Sequence, residues 1–188
     1  MAEPVRILLV SGSLRSGSTN SAVVRTAHEV APDGVRTSIY DGLDDLPHFN
    51  PDDDVEGEPL APAPAALRAQ LDEADAVLFS TPEYAGALPG SFKNLLDWTV
   101  GGGTYDKPVA WVNASASPTG AVGAHESLRK VLTYTNTDIV EVACAHIPVP
   151  RRSVGADGLV DDPGVRERLS AVLSALAEHV TGRRRADG

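Results

Sequence analysis

Five runs of apolar residues divide the chain, and the pattern within each run differs in an informative way. VRILLV (Val5–Val10) and AVLFST (Ala76–Thr81) are nearly continuous apolar stretches, as expected of strands covered on both faces. VRTSIY (Val35–Tyr40) alternates, placing Val35, Thr37 and Ile39 on one face, which predicts a more exposed strand. VAWVN (Val109–Asn113) and IVEVACAHI (Ile139–Ile147) complete the set. Elsewhere the apolar positions recur at helical spacing. Val23, Val24, Ala27 and Val30 follow Asn20, and Pro32 with Gly34 stops the run. Leu67 and Leu71 mark a helix from Pro64 to near Ala74, and Phe92, Leu95, Leu96 and Thr99 mark one from Pro89 to the glycines at 101–103. Leu128, Val131 and Leu132 define a fourth. The last begins at Pro163, a favourable first-turn residue, and carries Val165, Leu169, Val172, Leu173, Leu176 and Val180.

Strands alternating with helices imply βαβ units, a parallel sheet and right-handed crossovers. Five of each in this length predict a flavodoxin-like α/β sandwich, with a parallel sheet in order 2-1-3-4-5 and helices on both faces. A single domain over residues 1–182 is expected, with residues 183–188 as a tail. Ligands of such sheets bind beyond the carboxyl ends of the strands, near the switch point beside the first strand. The loops after strands 1, 3 and 4 are the unusual ones: SGSLRSGSTN, PEYAGALPGS and ASASPTGAVGA. Those at the opposite edge (APDG, DEAD, TYDKP) read as ordinary turns.

Bulk properties narrow the classes of function. The chain has 188 residues, 42% hydrophobic and 22% charged, and a formal net charge of −10. That sign argues against nucleic acid as a partner, since phosphate backbones attract basic surfaces. The start MAEPVRILLV lacks a signal-peptide pattern, and no apolar run approaches the roughly 20 residues that span a bilayer. A cytoplasmic protein without a membrane partner is the expectation. One cysteine, Cys144, excludes an internal disulfide and a cysteine-based metal site, and reads as a core residue. The five histidines are scattered with no metal-ligand spacing, His146 reading as a packing residue, so no metal is expected. The acidic, proline-containing connection Asp41–Ala63 is long enough to predict a lid or a subunit contact. Arg183–Arg185, after the last helix, reads as a solvated tail.

Ser11–Asn20 carries the chemistry. A strand entering a loop of small residues and then a helix offers free amides and the positive end of the helix dipole. Ser13 and Ser18 add hydroxyls, Asn20 an amide, and Arg15 a planar charged fork suited to phosphate, while Thr19 or Asn20 alternatively just caps the helix. No Gly-Lys-Ser/Thr follows, which excludes the nucleotide P-loop, and Gly12 and Gly17 do not fit the dinucleotide fingerprint. A loop cysteine for phosphatase chemistry is missing. A monophosphate remains, and in this type of sheet FMN is the usual one.

Two motifs then carry a resemblance. Gly12, Ser13, Arg15, Ser18 and Asn20 match G-S-x-R-x-x-S-x-N; Pro82, Glu83, Tyr84, Pro89, Gly90, Lys93, Asn94, Asp97 and Trp98 match P-E-Y-N-x-x-x-P-G-x-x-K-N-x-x-D-W. In that order and spacing the chain resembles the NADPH-dependent FMN reductase family, which includes quinone, chromate and azo reductases. The resemblance implies an enzyme passing hydride from NADPH, or NADH, through FMN to a small-molecule acceptor such as a flavin, quinone, azo compound or metal oxyanion. It implies an FMN phosphate on Ser13, Arg15, Ser18, Thr19 and Asn20, a ring along Pro82, Glu83, Tyr84, Ala85 and Gly86, and a border from Ser115, Ser117 and Gly120. The chemistry is the cofactor's, so no catalytic side chain is assigned, and Glu83 is read as fixing its loop or an interface. A homodimer or dimer of dimers is also implied. The departure is Ala85, where the family pattern has asparagine. An FMN-binding electron carrier or regulatory module without NAD(P)H turnover is the alternative; Arg15 favours the enzyme.

Overall fold

The computed structural model describes residues 3–100 and 102–186. Its centre is a parallel sheet of β1 (Val5–Ser11), β2 (Val35–Tyr40), β3 (Ala76–Ser80), β4 (Pro108–Asn113), β5 (Asp138–Ile139) and β6 (Ala145–His146). The order is β2-β1-β3-β4-β5, and β6 also pairs with β4. In register, Leu9 lies beside Leu78 and Ile39, and Leu78 beside Ala110. The alternation of side chains along each strand divides the core in two. Ile7, Leu9, Leu78, Ala110 and Val112 face α1 (Thr19–Glu29) and α5 (Pro163–Ala186), meeting Val23, Ala27, Leu169, Leu173 and Leu176. Leu8, Val10, Val77, Phe79 and Val109 face the other way, onto α2 (Pro62–Glu73), α3 (Gly90–Asp97) and α4 (Val122–Tyr134). Helices on both faces explain the uninterrupted apolar runs of β1 and β3. The predicted flavodoxin-like order is the observed one.

Two local expectations are corrected. The run Ile139–Ile147 is not one strand: β5 and β6 flank a 3-10 turn, Glu141–Ala143. The turn buries Ala143 and swings Glu141 outward to a bidentate pair with Arg129, whose guanidinium lies 4.9 Å from the Trp111 ring centre. Arg183–Arg185 is not a solvated tail but the last turn of α5, which continues to Ala186. There Arg183 bridges Asp106 (2.6 Å) and Asp138 (2.8 Å), and Arg184 meets Asp75 at 2.7 Å. Cations at a helix carboxyl end also complement its dipole.

The acidic connection is held down at its near end. Leu43 and Leu46 are buried, and the Pro47 carbonyl accepts from both Asn94 Nδ2 (2.9 Å) and Trp98 Nε1 (2.8 Å). Phe49 stands edge-on to Trp98 with ring centres 5.0 Å apart, and its amide donates to Asn94 Oδ1. Asp54 pairs with both terminal nitrogens of Arg68, whose guanidinium holds that carboxyl below the usual carboxylate range. Residues Asn94 and Trp98 of the second motif therefore strap this connection to α3, leaving little freedom for a lid around Pro47–Asp54.

Candidate functional site

At the carboxyl ends of β1, β3 and β4 the chain leaves a cleft of about 440 Å³, within the common range for small-ligand sites. Thr19 and Asn20 form one wall, Thr81, Pro82 and Glu83 a second, Ala114, Ser115, Ala116 and Ala121 a third, and Val149 with Arg151 the last. The position is the switch point, where β1 is flanked by β2 and β3.

The first wall is a helix start. Ser18 is the buried N-cap of α1, its Oγ accepting from the Asn20 amide at 3.2 Å. Asn20 Oδ1 accepts from Ser80 Oγ at 2.9 Å, which fixes the amide plane and leaves Nδ2 as a free donor. No acidic side chain stands in the first turn, and among the described residues the Gly17 and Thr19 amides have no acceptor. Gly17 takes φ +64, a left-handed conformation that turns the loop into the helix. Arg15 is exposed. Neither it nor Arg151 has a carboxylate partner among the described residues, whereas Arg6, Arg68, Arg129, Arg166, Arg183 and Arg184 all do. Arg151 lines the cleft and Arg15 lies in the loop that enters the acid-free amino end of α1, on a chain of net charge −10.

The second wall is a tight turn. Tyr84 and Ala87 exchange backbone hydrogen bonds (3.0 and 3.1 Å), with Ala85 at φ 52 and Gly86 at φ 75 between them. Positive φ at both central positions selects Asn-Gly, since asparagine tolerates that region better than alanine. The family's asparagine thus has a backbone reason, and Ala85→Asn is expected to raise unfolding stability by roughly 0.5–1 kcal/mol. Urea melts of the two forms measure it, and a lower midpoint for the asparagine form would refute the turn argument.

Glu83 joins the second and third walls. Its Oε2 accepts from the Ala124 amide at 2.9 Å, in the first turn of α4, as the expectation of a loop-fixing carboxylate has it. The N-cap, Ala121, offers no side-chain acceptor and is itself left-handed at φ 60, so Glu83 supplies the cap from outside. Glu83→Ala should cost about 1 kcal/mol in thermal or urea unfolding, and Glu83→Gln less, since the amide oxygen still accepts. Equal losses in the two variants would count against capping.

The third wall, Ala114–Ala121, is backed by two histidines. His146 Nε2 lies 2.8 Å from the Ser115 carbonyl, and His125 Nδ1 lies 2.6 Å from that of Ala121. Burial holds the His125 pKa below the ordinary imidazole value, against the Ala121 carbonyl that raises it. Cys144 packs against both halves of the core, and burial pushes its thiol up to about 11. Among the described residues no three metal-ligating side chains cluster.

Of the residues singled out from sequence, Thr19, Asn20, Pro82, Glu83 and Ser115 line the cleft itself. Ser13 faces a neighbouring depression with Leu14, Tyr40, Asp41 and Asp44, and its Oγ accepts from the Arg15 amide at 3.3 Å. Ser18 is spent on its cap. Tyr84, Ala85, Gly86, Ser117 and Gly120 form the turns behind or beside the walls. Ala114, Ala116 and Ala121 belong to the loop after the fourth strand that the sequence singled out, while sequence reasoning missed Thr81, Val149 and Arg151. The last two follow the fifth-strand position, whose carboxyl end borders the same sheet edge, so the topology rule that chose the other loops applied to this one as well.

The fold defines a flavodoxin-like protein with a cleft at the switch point of its sheet. Residues 5–148 match the NADPH-dependent FMN reductase family, and the chain belongs to it. It is 34% identical over 179 residues to an NAD(P)H-dependent FMN reductase of Pseudomonas aeruginosa, covering 94% of this chain and 95% of that one. It is also 34% identical over 185 residues to a quinone reductase of Pseudomonas putida, covering 95% and 94%. Among solved structures it resembles FerB, a flavoenzyme NAD(P)H:(acceptor) oxidoreductase of Paracoccus denitrificans, with a TM-score of 0.80 and 26% identity over 95% and 98% of the two chains. The protein is accordingly an oxidoreductase of the flavin- and NAD(P)H-dependent kind. Its donor set fits FMN: unfilled amides at a helix start, a fixed Asn20 amide, uncommitted arginines and walls of small residues.

Proposed function

We propose that this cleft holds FMN and that the protein reduces a small-molecule acceptor, a quinone first among the candidates, with NAD(P)H as electron donor. The observation that carries the reading is the convergence at one switch point of an acid-free, unfilled helix amino terminus and a slot walled by Pro82, Ala114, Ala116 and Ala121. When bound, FMN supplies the two-electron chemistry, and the chain supplies position and electrostatics. Thr19, Asn20 and the Gly17 amide hold the phosphate, with Ser13, Ser18 and Arg15 around it. The ring lies along Pro82–Gly86, beside Tyr84, and Ser115, Ser117 and Gly120 shape its other border. Arg15 and Arg151 stand ready for the second nucleotide's phosphates. The relatives named quinone reductases support the choice of acceptor class.

A homodimer accompanies this reading. An apolar groove between α3 and α4, lined by Ala87, Leu88, Leu96, Val100, Val131 and Tyr134, begins next to the Tyr84 turn, and Val100 and Tyr134 are exposed. A second copy covering it would bring its own surface to the flavin slot. No helix of the described residues is long and apolar enough to cross a membrane, and we infer a cytoplasmic location.

The test is a visible spectrum of the purified protein with added FMN, followed by anaerobic addition of NADPH and then NADH. Saturable flavin binding with bleaching on nucleotide addition is expected, with turnover of a benzoquinone afterwards. Absence of flavin binding overturns the reading, and binding without bleaching makes the protein a carrier. Arg15→Ala should weaken use of FMN or NADPH without altering the thermal unfolding midpoint.

A further inference from the structure

The third wall of the cleft owes little of its shape to itself. Within Ala114–Ala121 the backbone closes one bond, from the Gly120 amide to the Ser117 carbonyl (3.0 Å), and the Ser117 amide donates to Ser115 Oγ (3.2 Å). Apart from a long Ser117–Thr119 hydroxyl contact (3.5 Å), the other bonds that fix it come from behind. Asn113, the last residue of β4, clamps both ends: its Oδ1 accepts from the Ser115 amide and its Nδ2 donates to the Gly120 carbonyl, each at 3.0 Å. His146, in β6, reaches the Ser115 carbonyl at 2.8 Å; His125, in α4, reaches that of Ala121 at 2.6 Å. The ladder beneath continues as Ile147 N to Asn113 O (2.9 Å) and Val149 N to Ala114 O (3.1 Å).

Carbonyl oxygens only accept, so these contacts assign the protons. His146 carries hydrogen on Nε2 and His125 on Nδ1. His125 is 9% exposed, and its Nε2 is buried without a partner. None of the three side chains was assigned to the site from sequence, and none of them lines the cleft.

We propose that Asn113 and His146, with His125, are positioning residues that preset the Ala114–Ala121 wall before the flavin binds, so that flavin affinity depends on side chains that never touch the flavin. This rests on the proposal that the cleft holds FMN. The Ala116 amide, on the cleft wall and without an acceptor among the described residues, is the group the preset wall delivers. A loop already in its bound shape spares the ordering cost of binding. In Asn113→Ala both clamps are lost; in Asn113→Asp only the donor is. His146→Ala loses the Ser115 contact, and His146→Gln keeps an N–H that reaches it.

Two measurements test this. In the flavin-free protein, amide hydrogen exchange across Ser115–Ala121 is expected to accelerate in Asn113→Ala and His146→Ala, with β1 and β3 unchanged. In FMN titrations followed by fluorescence, Kd should rise about 3- to 10-fold in His146→Ala and more in Asn113→Ala. His146→Gln should return both readouts towards wild type, and the KM for NAD(P)H should move less than the FMN Kd. A general structural defect would instead raise exchange throughout the sheet and give no rescue by glutamine. Wild-type exchange across the wall in Asn113→Ala overturns the proposal. Wild-type protein that binds no FMN overturns the cofactor reading instead, while the exchange data still report whether the wall is preset.

Discussion

Gly123→Ala is expected to weaken FMN binding at least tenfold, about 1.4 kcal/mol, while the sheet stays folded. An ideal Cβ at position 123 would stand 2.3 Å from the Gly86 carbonyl oxygen and 3.0 Å from Glu83 Oε2. The first is a backbone atom of a two-residue turn whose central residues already hold positive φ, so it has nowhere to retreat. The amino end of α4 must lift away from the Tyr84–Ala87 turn, and the bond from the Ala124 amide to Glu83 goes with it. Two walls of the cleft then separate. The core is spared, because Gly123 sits at the helix start and Leu128 and Leu132 anchor the rest of α4. Fluorescence titration with FMN, alongside a circular-dichroism melt, separates the effects; an unchanged Kd would show that the two walls are not coupled here.

The second large effect is on stability. Trp98→Ala should lower unfolding free energy by roughly 3–5 kcal/mol, as for other fully buried aromatic truncations. Trp98 is 0% exposed, stacks edge-on against Phe49 and donates its indole N–H to the Pro47 carbonyl. Its loss empties the core on the α3 face and unfastens the acidic connection together, so cleavage by an added protease should concentrate between Asp41 and Ala63. Trp98→Phe keeps most of the packing and removes the donor, which should cost about 1–2 kcal/mol. If urea unfolding showed no loss in Trp98→Phe, the indole hydrogen bond would contribute nothing.

How far the sequence revealed this molecule depended on the range over which each signal acts. The runs Val5–Val10 and Ala76–Thr81 were legible because helices cover both faces, and Ile7 with Leu9 pointing one way and Leu8 with Val10 the other leaves no polar position between Ile7 and Val10. The fifth-strand position misled because Glu141 interrupts an apolar run, and only its pairing with Arg129, 12 residues earlier, turns it outward. Arg183 and Arg184 read as a tail because their partners Asp106, Asp138 and Asp75 are remote in the chain, beyond any local window. In the site, the phosphate-loop residues announced themselves by composition. Arg151 did not, lying among ordinary turn residues, and Asn113, His125 and His146 act from behind the wall, where no spacing rule marks them. Asn94 and Trp98 carried a strong motif, yet their work lies in holding the connection at Pro47, away from the cleft.

The broken fifth strand has a bearing on how the molecule behaves when concentrated. A parallel sheet ends in open amides and carbonyls, and a long flat border invites another chain to add a strand. Here the β4 side ends in two pieces of two residues each, kinked apart by the 3-10 turn at Glu141–Ala143, with Arg183 of α5 gripping Asp138 beside it. No run on that side is long enough to template growth. The opposite border, β2, offers six residues in a row, with Arg36 and Ser38 exposed along it. Aggregation of this protein by strand addition therefore has one open door, at Val35–Tyr40, and a charged side chain stands in it.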